Sequence, residues 1–443
     1  MLFDRLLAAS ASCSDEAFLR HAGRSYTVAT LLKQATALAK SWGCLASRRV
    51  ALTGLASAEF VAVLAALDSL GCQVFLSPPL DECAAHAFAE THSVQTVIAA
   101  TPGRLQDTFT SEKERPNPFG TSVVTILTSG TTGQPKAVNH TWDSLSRPVR
   151  TGPQFEATRW LLTFPITLYA GLQVFLQALF SRSVLVLPEE SSPGALLSFI
   201  REEGVECISA TPTFWRNLLL FAPREQIAAC SLRQITLGGE VATQEILDSL
   251  ASVFPTARIV HVYATSELGR CFSVADGQAG FPVCFLGERL PEGIQIRIRA
   301  GRLEARSVNR MVGYDQEAPS AESGWLTTDD LVELRGDRVF FLGRVSDVIN
   351  VGGAKVSPFD VECFLRSVPG VADARVYGKL NPITHEIVAA DIVAAEGFEE
   401  TIVRERIRKA ALDKLRPHER PRLLRFVLQL QVNASGKTSR RDS

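Results

Sequence analysis

Short apolar runs alternate with amphipathic stretches along the first hundred residues. Arg49–Gly54 (RVALTG) predicts a buried strand. Ser57 then caps a helix with Phe60, Leu64 and Leu67 on one face, and Gly71 stops it. Cys72–Leu76 predicts the next strand, ended by Pro78-Pro79, followed by a helix over Asp81–Glu90 and a strand over Thr96–Ala100. Lys113–Gly120 (KERPNPFG) reads as a polar, Pro-rich linker. Trp160–Leu187 is largely apolar, but Pro165, Gln173, Gln177 and Arg182 interrupt it, so no run is long enough to span a membrane. It predicts a strand, a loop over Pro165–Gly171, a buried helix and a strand over Ser183–Leu187. Cys207–Ala210 is a further strand, after which Thr211 caps a helix with Pro212 at its first position and Phe214, Leu218 and Phe221 along it. Strand Ile235–Leu237 leads into Gly238-Gly239-Glu240, and Thr243 begins a helix with Ile246, Leu247 and Leu250. Strand Ile259–Val262 delivers Tyr263-Ala264-Thr265-Ser266-Glu267. This alternation predicts an α/β protein built on parallel, doubly wound sheets.

From Gly301 the pattern changes to short β segments (Leu303–Arg306, Leu331–Leu334, Val339–Leu342) separated by turns such as Arg335-Gly336-Asp337. Ser357-Pro358 opens a helix through Arg366. Strands Ala374–Tyr377 and Ile387–Ile392 and a helix over Thr401–Leu415 complete a small α+β unit. The expected organisation is a large core domain, 1–343, that includes a small β-rich subdomain, followed by a small C-terminal domain, 344–443. No internal repeat is visible.

The chemistry concentrates in Thr125–Val138, TILTSGTTGQPKAV, where an apolar β-like segment (Val123, Val124, Ile126, Leu127) runs into Thr, Ser and Gly and ends at Pro135-Lys136. Glycines let backbone N–H groups turn toward one point, hydroxyls add donors, and the lysine adds a cation, which together make a polyphosphate cradle. A Ser/Thr/Gly cluster after a strand also fits an ordinary loop. The spacing is not that of a P-loop, which needs Gly-x-x-x-x-Gly-Lys-Ser/Thr, whereas Gly133 and Lys136 are three apart. Gly436-Lys437-Thr438 fails the same test, because Gln431 stands where the first glycine belongs. Three polar clusters, Thr128–Lys136, Gly238–Glu240 and Tyr263–Glu267, each follow a predicted strand. In open α/β sheets the carboxyl ends of strands share one edge, where ligands bind.

Composition narrows the class. The chain has 443 residues, 46% hydrophobic and 21% charged, with a net charge of −1, which argues against a dominant nucleic-acid surface. Its nine cysteines are scattered, with no C-x-x-C pair, as expected of reduced packing residues in a cytoplasmic protein and not of a disulfide scaffold or zinc site. MLFDRLLAAS carries an early acid and no long apolar core, so no signal peptide is expected.

Placed in order, TSGTTGQPK, GGE, YATSE, GWLTTDD, GRVSDVINVGG and NASGK resemble the motifs of the adenylate-forming superfamily of acyl- and aryl-CoA ligases, luciferases and peptide-synthetase adenylation domains. The resemblance covers most of the chain and is weakest over the first hundred residues. It implies an ATP- and Mg²⁺-dependent ligase: a carboxylate attacks the α-phosphate to give an acyl-adenylate and pyrophosphate, and a thiol then takes the acyl group. By the same resemblance, Thr128, Ser129, Gly130, Thr131, Thr132, Gly133 and Lys136 form the phosphate loop. Gly239 and Glu240 line adenine and the acyl pocket, while Tyr263, followed by Ala264 and Thr265, stacks on adenine. Ser266, where the family usually has Thr, contacts the α-phosphate, and Glu267 is the magnesium ligand. Asp330 and Arg344 hold the ribose. Lys437 bridges substrate carboxylate and α-phosphate. The C-terminal domain would be mobile, pivoting at Ser346, a position where relatives usually carry a charge. Rotation would bring Gly352-Gly353 to the pantetheine channel. The chemistry is consistent with these types: two anions must meet, so cations, fixed N–H donors and a hard oxygen ligand for Mg²⁺ are needed.

Departures inform the substrate. Ala137 and Asp329 replace glycines of the pattern, and Asn350 replaces a frequent lysine. Pro165–Gly171 resembles the pocket-gating segment, with Leu168 where a histidine often sits. An α-amino acid needs an acid to pair its ammonium, because a buried unpaired charge is costly. An apolar acyl or aryl acid, lined by Leu168, Tyr169, Phe214 and Gly239, fits better, although Phe214 and Trp215 also suit plain helix core. From Thr401 to Ser443 there are twelve Lys/Arg against four Asp/Glu. Such a face is ordinary solvated surface, or it attracts CoA phosphates or an acidic acyl carrier protein. The expected acceptor is therefore CoA, with a carrier protein's phosphopantetheine as the alternative. A nucleotide-binding scaffold without ligase activity is a third reading, and an adenylate oxidase a fourth.

Overall fold

The run that leads into the phosphate loop, Val123–Thr128, pairs parallel with Gln73–Ser77, which pairs parallel with Arg49–Gly54 and through it with Thr96–Thr101. The computed structural model describes residues 2–12, 16–111, 113–128, 136–190, 192–287, 290, 293–315, 324–433 and 436–437. Among these, strands form four sheets. In the first, the parallel strands are extended on one side by Lys136–Thr141 and Gly313–Tyr314 and on the other by Arg104–Thr110, all antiparallel. The second has eight strands. Its parallel centre joins Arg258–Thr265, Gln234–Gly238, Cys207–Ala210, Arg159–Leu162, Val184–Leu187 and Ala17–His21, with antiparallel hairpins at both edges.

The helices between strands start where expected for a physical reason. Ser57 and Thr211 accept the N–H groups of Phe60 and Phe214, satisfying donors that the first turn leaves unpaired. Helix Ala58–Ser69 is buried almost all round, with Phe60, Leu64 and Leu67 inaccessible. Helix Leu2–Ser12 docks through Leu2 and Leu6, four residues apart and both buried.

Several expectations are corrected. The expected loop over Pro165–Gly171 is shorter, because helix Tyr169–Phe180 begins inside it. The strand expected over Ile259–Val262 runs on to Thr265, since Gly269–Val274 folds back on it and supplies hydrogen bonds. Leu331–Leu334 is part of a longer strand, Leu326–Arg335, which contains Asp330.

By density of internal packing the chain divides into two compact units, one of Met1–Gln278, Arg289–Ile294 and Arg306–Gly324, the other of Ala279–Glu288, Gln295–Ala305 and Trp325–Ser443. The second unit thus joins the β-rich segment to the C-terminal α+β segment. It contains one sheet in which Leu326–Arg335 pairs antiparallel with Arg302–Arg306 and Arg338–Arg344. Its other sheet is built on the hairpin Val371–Asn381/His385–Ala394. Helix Pro358–Arg366, capped by Ser357, and helix Glu400–Lys414 bury Val361, Leu365, Val403 and Ile407 against that hairpin. Among the described residues no helix is long and apolar enough to cross a membrane.

Candidate active site

Thr128 and Lys136 face each other at the tip of the hairpin Val123–Thr128/Lys136–Thr141. Ser129, Gly130, Thr131, Thr132 and Gly133, between them, lie outside the described residues. Below the tip a buried polar row crosses the sheet. Arg49 donates to Gln73 Oε1 (2.9 Å). Gln73 Nε2 donates to Thr125 Oγ1 (3.0 Å) and Asn139 Oδ1 (3.1 Å), and Thr125 donates to Asn139 (2.7 Å). The row ends at Asp315, whose carboxylate takes two bonds from Arg49, at 3.1 and 2.9 Å. Both partners are nearly inaccessible. Paired polar groups of this kind favour one strand register, because a slip would leave them buried and unpaired, as the Asn139 Nδ2 already is.

In the second sheet Gly238 pairs with Val262, so the Gly239-Glu240 and Tyr263–Glu267 segments leave neighbouring strands. The Glu240 carboxylate accepts the Thr213 N–H (3.0 Å) and lies 4.0 Å from the Arg216 guanidinium. It thereby ties its strand end to the first turn of helix Pro212–Phe221. On that helix Trp215 is fully buried, while Phe214 is half-buried, edge-on to Trp215 at 5.4 Å. Trp215 is core. Tyr263 stacks on Phe272 with ring centroids 5.2 Å apart. Thr265 Oγ1 accepts the Leu268 N–H (3.1 Å) and closes the turn that carries Ser266 and Glu267. Gly269 completes it at φ +69°, where a Cβ would lie 2.7 Å from the Asn309 carbonyl oxygen.

Three bonds hold that turn. His140 Nε2 donates to the Ser266 carbonyl (2.6 Å), which fixes the ring proton on Nε2 and leaves Nδ1 to accept from Ser144 Oγ (2.9 Å). Burial pushes the imidazole down to about 4, against the opposing pull of the Ser266 carbonyl, so the ring is neutral at ordinary pH. The Glu267 carbonyl accepts the Met311 N–H (2.8 Å), and its Oε1 accepts the Tyr314 hydroxyl (3.3 Å). The Lys136 ammonium lies 5.3 Å from the centroid of that same Tyr314 ring. One tyrosine thus touches both the loop lysine and the expected metal carboxylate. Of the expected acyl-pocket residues, Leu168 is half-buried at the head of its helix. Tyr169 is buried, with its ring 5.6 Å from His140 and its hydroxyl accepting the Arg270 N–H (3.1 Å). Burial raises the Tyr169 phenol well above its usual range. Cys72 and Cys207 are both pushed up to about 12 by burial, which makes them poor nucleophiles at neutral pH.

The second unit carries its own group. Asp330 and Arg344 are paired across the strands and joined by an ion pair of 3.2 Å. Asp329 accepts the Ser346 N–H (3.2 Å), the head of the short turn Val345–Asp347. Gly352 and Gly353 form a tight turn at φ +57° and +90°, a combination that favours glycine. It is held by the Gly352 N–H to the Thr384 carbonyl (2.8 Å) and the Gly353 N–H to Asn350 Oδ1 (3.1 Å). Lys437 lies in a compact turn: its N–H donates to Asn433 Oδ1 (3.1 Å), and its carbonyl accepts the Asn433 N–H (2.8 Å).

Among the described residues no cluster of three or more His, Cys, Asp or Glu could hold a metal by itself. A single carboxylate such as Glu267 suits Mg²⁺, which keeps waters and binds through one or two carboxylates plus substrate phosphates. His140, Tyr314, Arg49 and Asp315 were not singled out from the sequence. Their visible signal is slight: Lys136–Thr141 (KAVNHT) is mostly polar, with no apolar run to mark a buried strand, and Gly313-Tyr314-Asp315 is too short for periodicity.

The chain is similar to known proteins along most of its length. The family model for AMP-binding enzymes matches residues 85–300, and that for the AMP-binding enzyme C-terminal domain matches 360–437, together about two thirds of the chain. A feruloyl-CoA synthase from Amycolatopsis sp is 27% identical, over 95% of this chain and 93% of its own length. A 2-succinylbenzoate–CoA ligase from Lactococcus lactis is 25% identical, over 72% of this chain and 70% of its own. Among solved structures, the anthranilate CoA ligase AuaEII in complex with anthranoyl-AMP superimposes with a TM-score of 0.77 at 18% identity, covering 98% of this chain and 95% of its own. With both family models matched in the order of the motifs, the chain belongs to the adenylate-forming family of AMP-binding enzymes.

Proposed function

We propose that this chain, an AMP-forming acid–thiol ligase, activates an apolar acyl or aryl carboxylic acid in preference to an α-amino acid. The observation that carries the reading is the Ser266–Glu267 turn, fixed by His140, Met311 and Tyr314, with Lys136 over the same tyrosine ring. Transfer of the adenylyl group from pyrophosphate to the carboxylate oxygen needs donors and cations already in position where charge develops, and a turn held by buried partners supplies that preorganisation. In this reading Lys136 and the loop around it bind the triphosphate, Ser266 contacts the α-phosphate, and Tyr263 stacks on adenine. Gly239 and Phe214 border the acid, and Glu240 holds the helix that carries Phe214. Asp330 and Arg344 bind the ribose, while Lys437 neutralises the substrate carboxylate and the α-phosphate as they meet. Mg²⁺, held by Glu267 and the phosphates, would spread the charge of the departing pyrophosphate.

Half-buried Leu168 supports the acid class, since it offers no charge to pair an ammonium. The feruloyl-CoA and 2-succinylbenzoate names of relatives point the same way. CoA is the acceptor, taken up as residues 344–443 pivot near Ser346 and bring Gly352-Gly353 toward the thiol. The exposed Arg406, Arg408 and Lys409 of helix Glu400–Lys414 support a second acceptor, an acidic carrier protein. ATP–pyrophosphate exchange across fatty, aryl and amino acids tests the acid, and CoA against a phosphopantetheinylated carrier protein tests the acceptor. Exchange with apolar or aryl acids and not amino acids is expected. Exchange with amino acids only contradicts the acid class, and none with any acid favours the scaffold.

A further inference from the structure

We propose that Tyr314 is a positioning residue that orients the Glu267 carboxylate for its cation and parks the Lys136 ammonium at the edge of the phosphate loop. The inference rests on the reading of Glu267 as the metal carboxylate. Tyr314 is well placed to orient another group because its own strand is fixed. Gly313 and Tyr314 pair with Asn139 and Val138, the Val312 and Asp315 N–H groups donate to the Asn139 and Ala137 carbonyls (2.8 Å each), and the Asp315 side chain is locked by Arg49. From that edge the hydroxyl reaches Glu267 Oε1 at 3.3 Å, and the ring lies under Lys136 at 5.3 Å. A carboxylate with one oxygen committed to a fixed donor presents the other in a defined direction. Loss of such an outer partner commonly weakens metal binding about 10–100-fold. The ring face attracts an ammonium weakly enough for a phosphate to take it away, so Lys136 is held near the loop without being neutralised.

The test separates the two contacts. Tyr314→Phe keeps the ring and removes the hydroxyl, whereas Tyr314→Leu removes both. Binding is followed directly, by electron paramagnetic resonance of Mn²⁺ titrated into protein with ATP and by calorimetry of ATP without metal. Tyr314→Phe is expected to weaken Mn²⁺–ATP binding about tenfold and leave metal-free ATP binding unchanged. Tyr314→Leu is expected to weaken metal-free ATP binding as well, and both variants should melt close to the parent. Wild-type Mn²⁺ binding in Tyr314→Phe, or equal metal-free ATP binding in the two variants, overturns the proposal. Glu267→Gln distinguishes the levels. If it keeps Mn²⁺ binding, the metal-carboxylate reading fails and this inference with it. If it loses binding while Tyr314→Phe does not, only the role of Tyr314 fails.

Discussion

The two units hold their expected site residues in opposite ways. In the first, the Ser266–Glu267 turn is fastened by a buried neutral imidazole, a backbone N–H and a tyrosine whose strand is locked by the buried Arg49–Asp315 pair. In the second, Arg344 is about half exposed in its pair with Asp330, and an exposed bond from Ser346 to Asp329 heads the turn at the expected pivot. Groups that must meet developing charge gain from being fixed in advance, since no reorganisation is then needed at the moment of reaction. Groups next to a pivot gain from bonds that break cheaply, because rotation must change backbone angles there.

The largest test of that contrast is the buried pair. Removing one partner strands a charge away from water, so Arg49→Ala is expected to cost about 3–5 kcal/mol, read as a lower denaturant midpoint. A cost near that of a surface pair would erase the contrast. Next, Lys437→Ala is expected to cut carboxylate-dependent pyrophosphate exchange about 10²–10³-fold while sparing thioester formation from supplied acyl-adenylate. Equal losses in both half-reactions would remove Lys437 from its assigned role. Acid comes third. His140 has a folded value of about 4 against an ordinary 6.5, so below pH 6.5 the unfolded chain takes up a proton that the folded one refuses. Stability is therefore expected to fall by about 1.4 kcal/mol per pH unit between those values from this residue, and His140→Asn should flatten that share of the slope. The smallest effects belong to the exposed group: Asp329→Ala and Arg344→Ala should each change stability by about 1 kcal/mol or less, seen as small midpoint shifts.

Local chemistry explains which parts were legible in the sequence. The caps Ser57, Thr211 and Ser357 act within three residues, so their helices begin where expected. The buried parallel strands are apolar runs bounded by turn residues, and the polar clusters stand at their ends. Long-range pairing was not legible. Lys136–Thr141 and Gly269–Val274 become strands by folding back on a neighbour, and Gly313–Tyr314 is a two-residue edge strand with no period to read. His140 and Tyr314 matter through partners 126 and 47 residues away, a relation that no local spacing encodes. Leu326–Arg335 is longer than its apolar part suggests, because polar Thr327, Thr328, Asp329 and Asp330 hide the first half of a strand in which Asp330 carries the ion pair and Asp329 the bond to Ser346.

The most direct test of the central claim, that the fastened Ser266–Glu267 turn is where acid and nucleotide react, is carboxylate-dependent ATP–pyrophosphate exchange in Glu267→Gln. Exchange reduced about a hundredfold or more, in a protein that melts like the parent, is the predicted result. Exchange at the parent's rate with the same acid would contradict it.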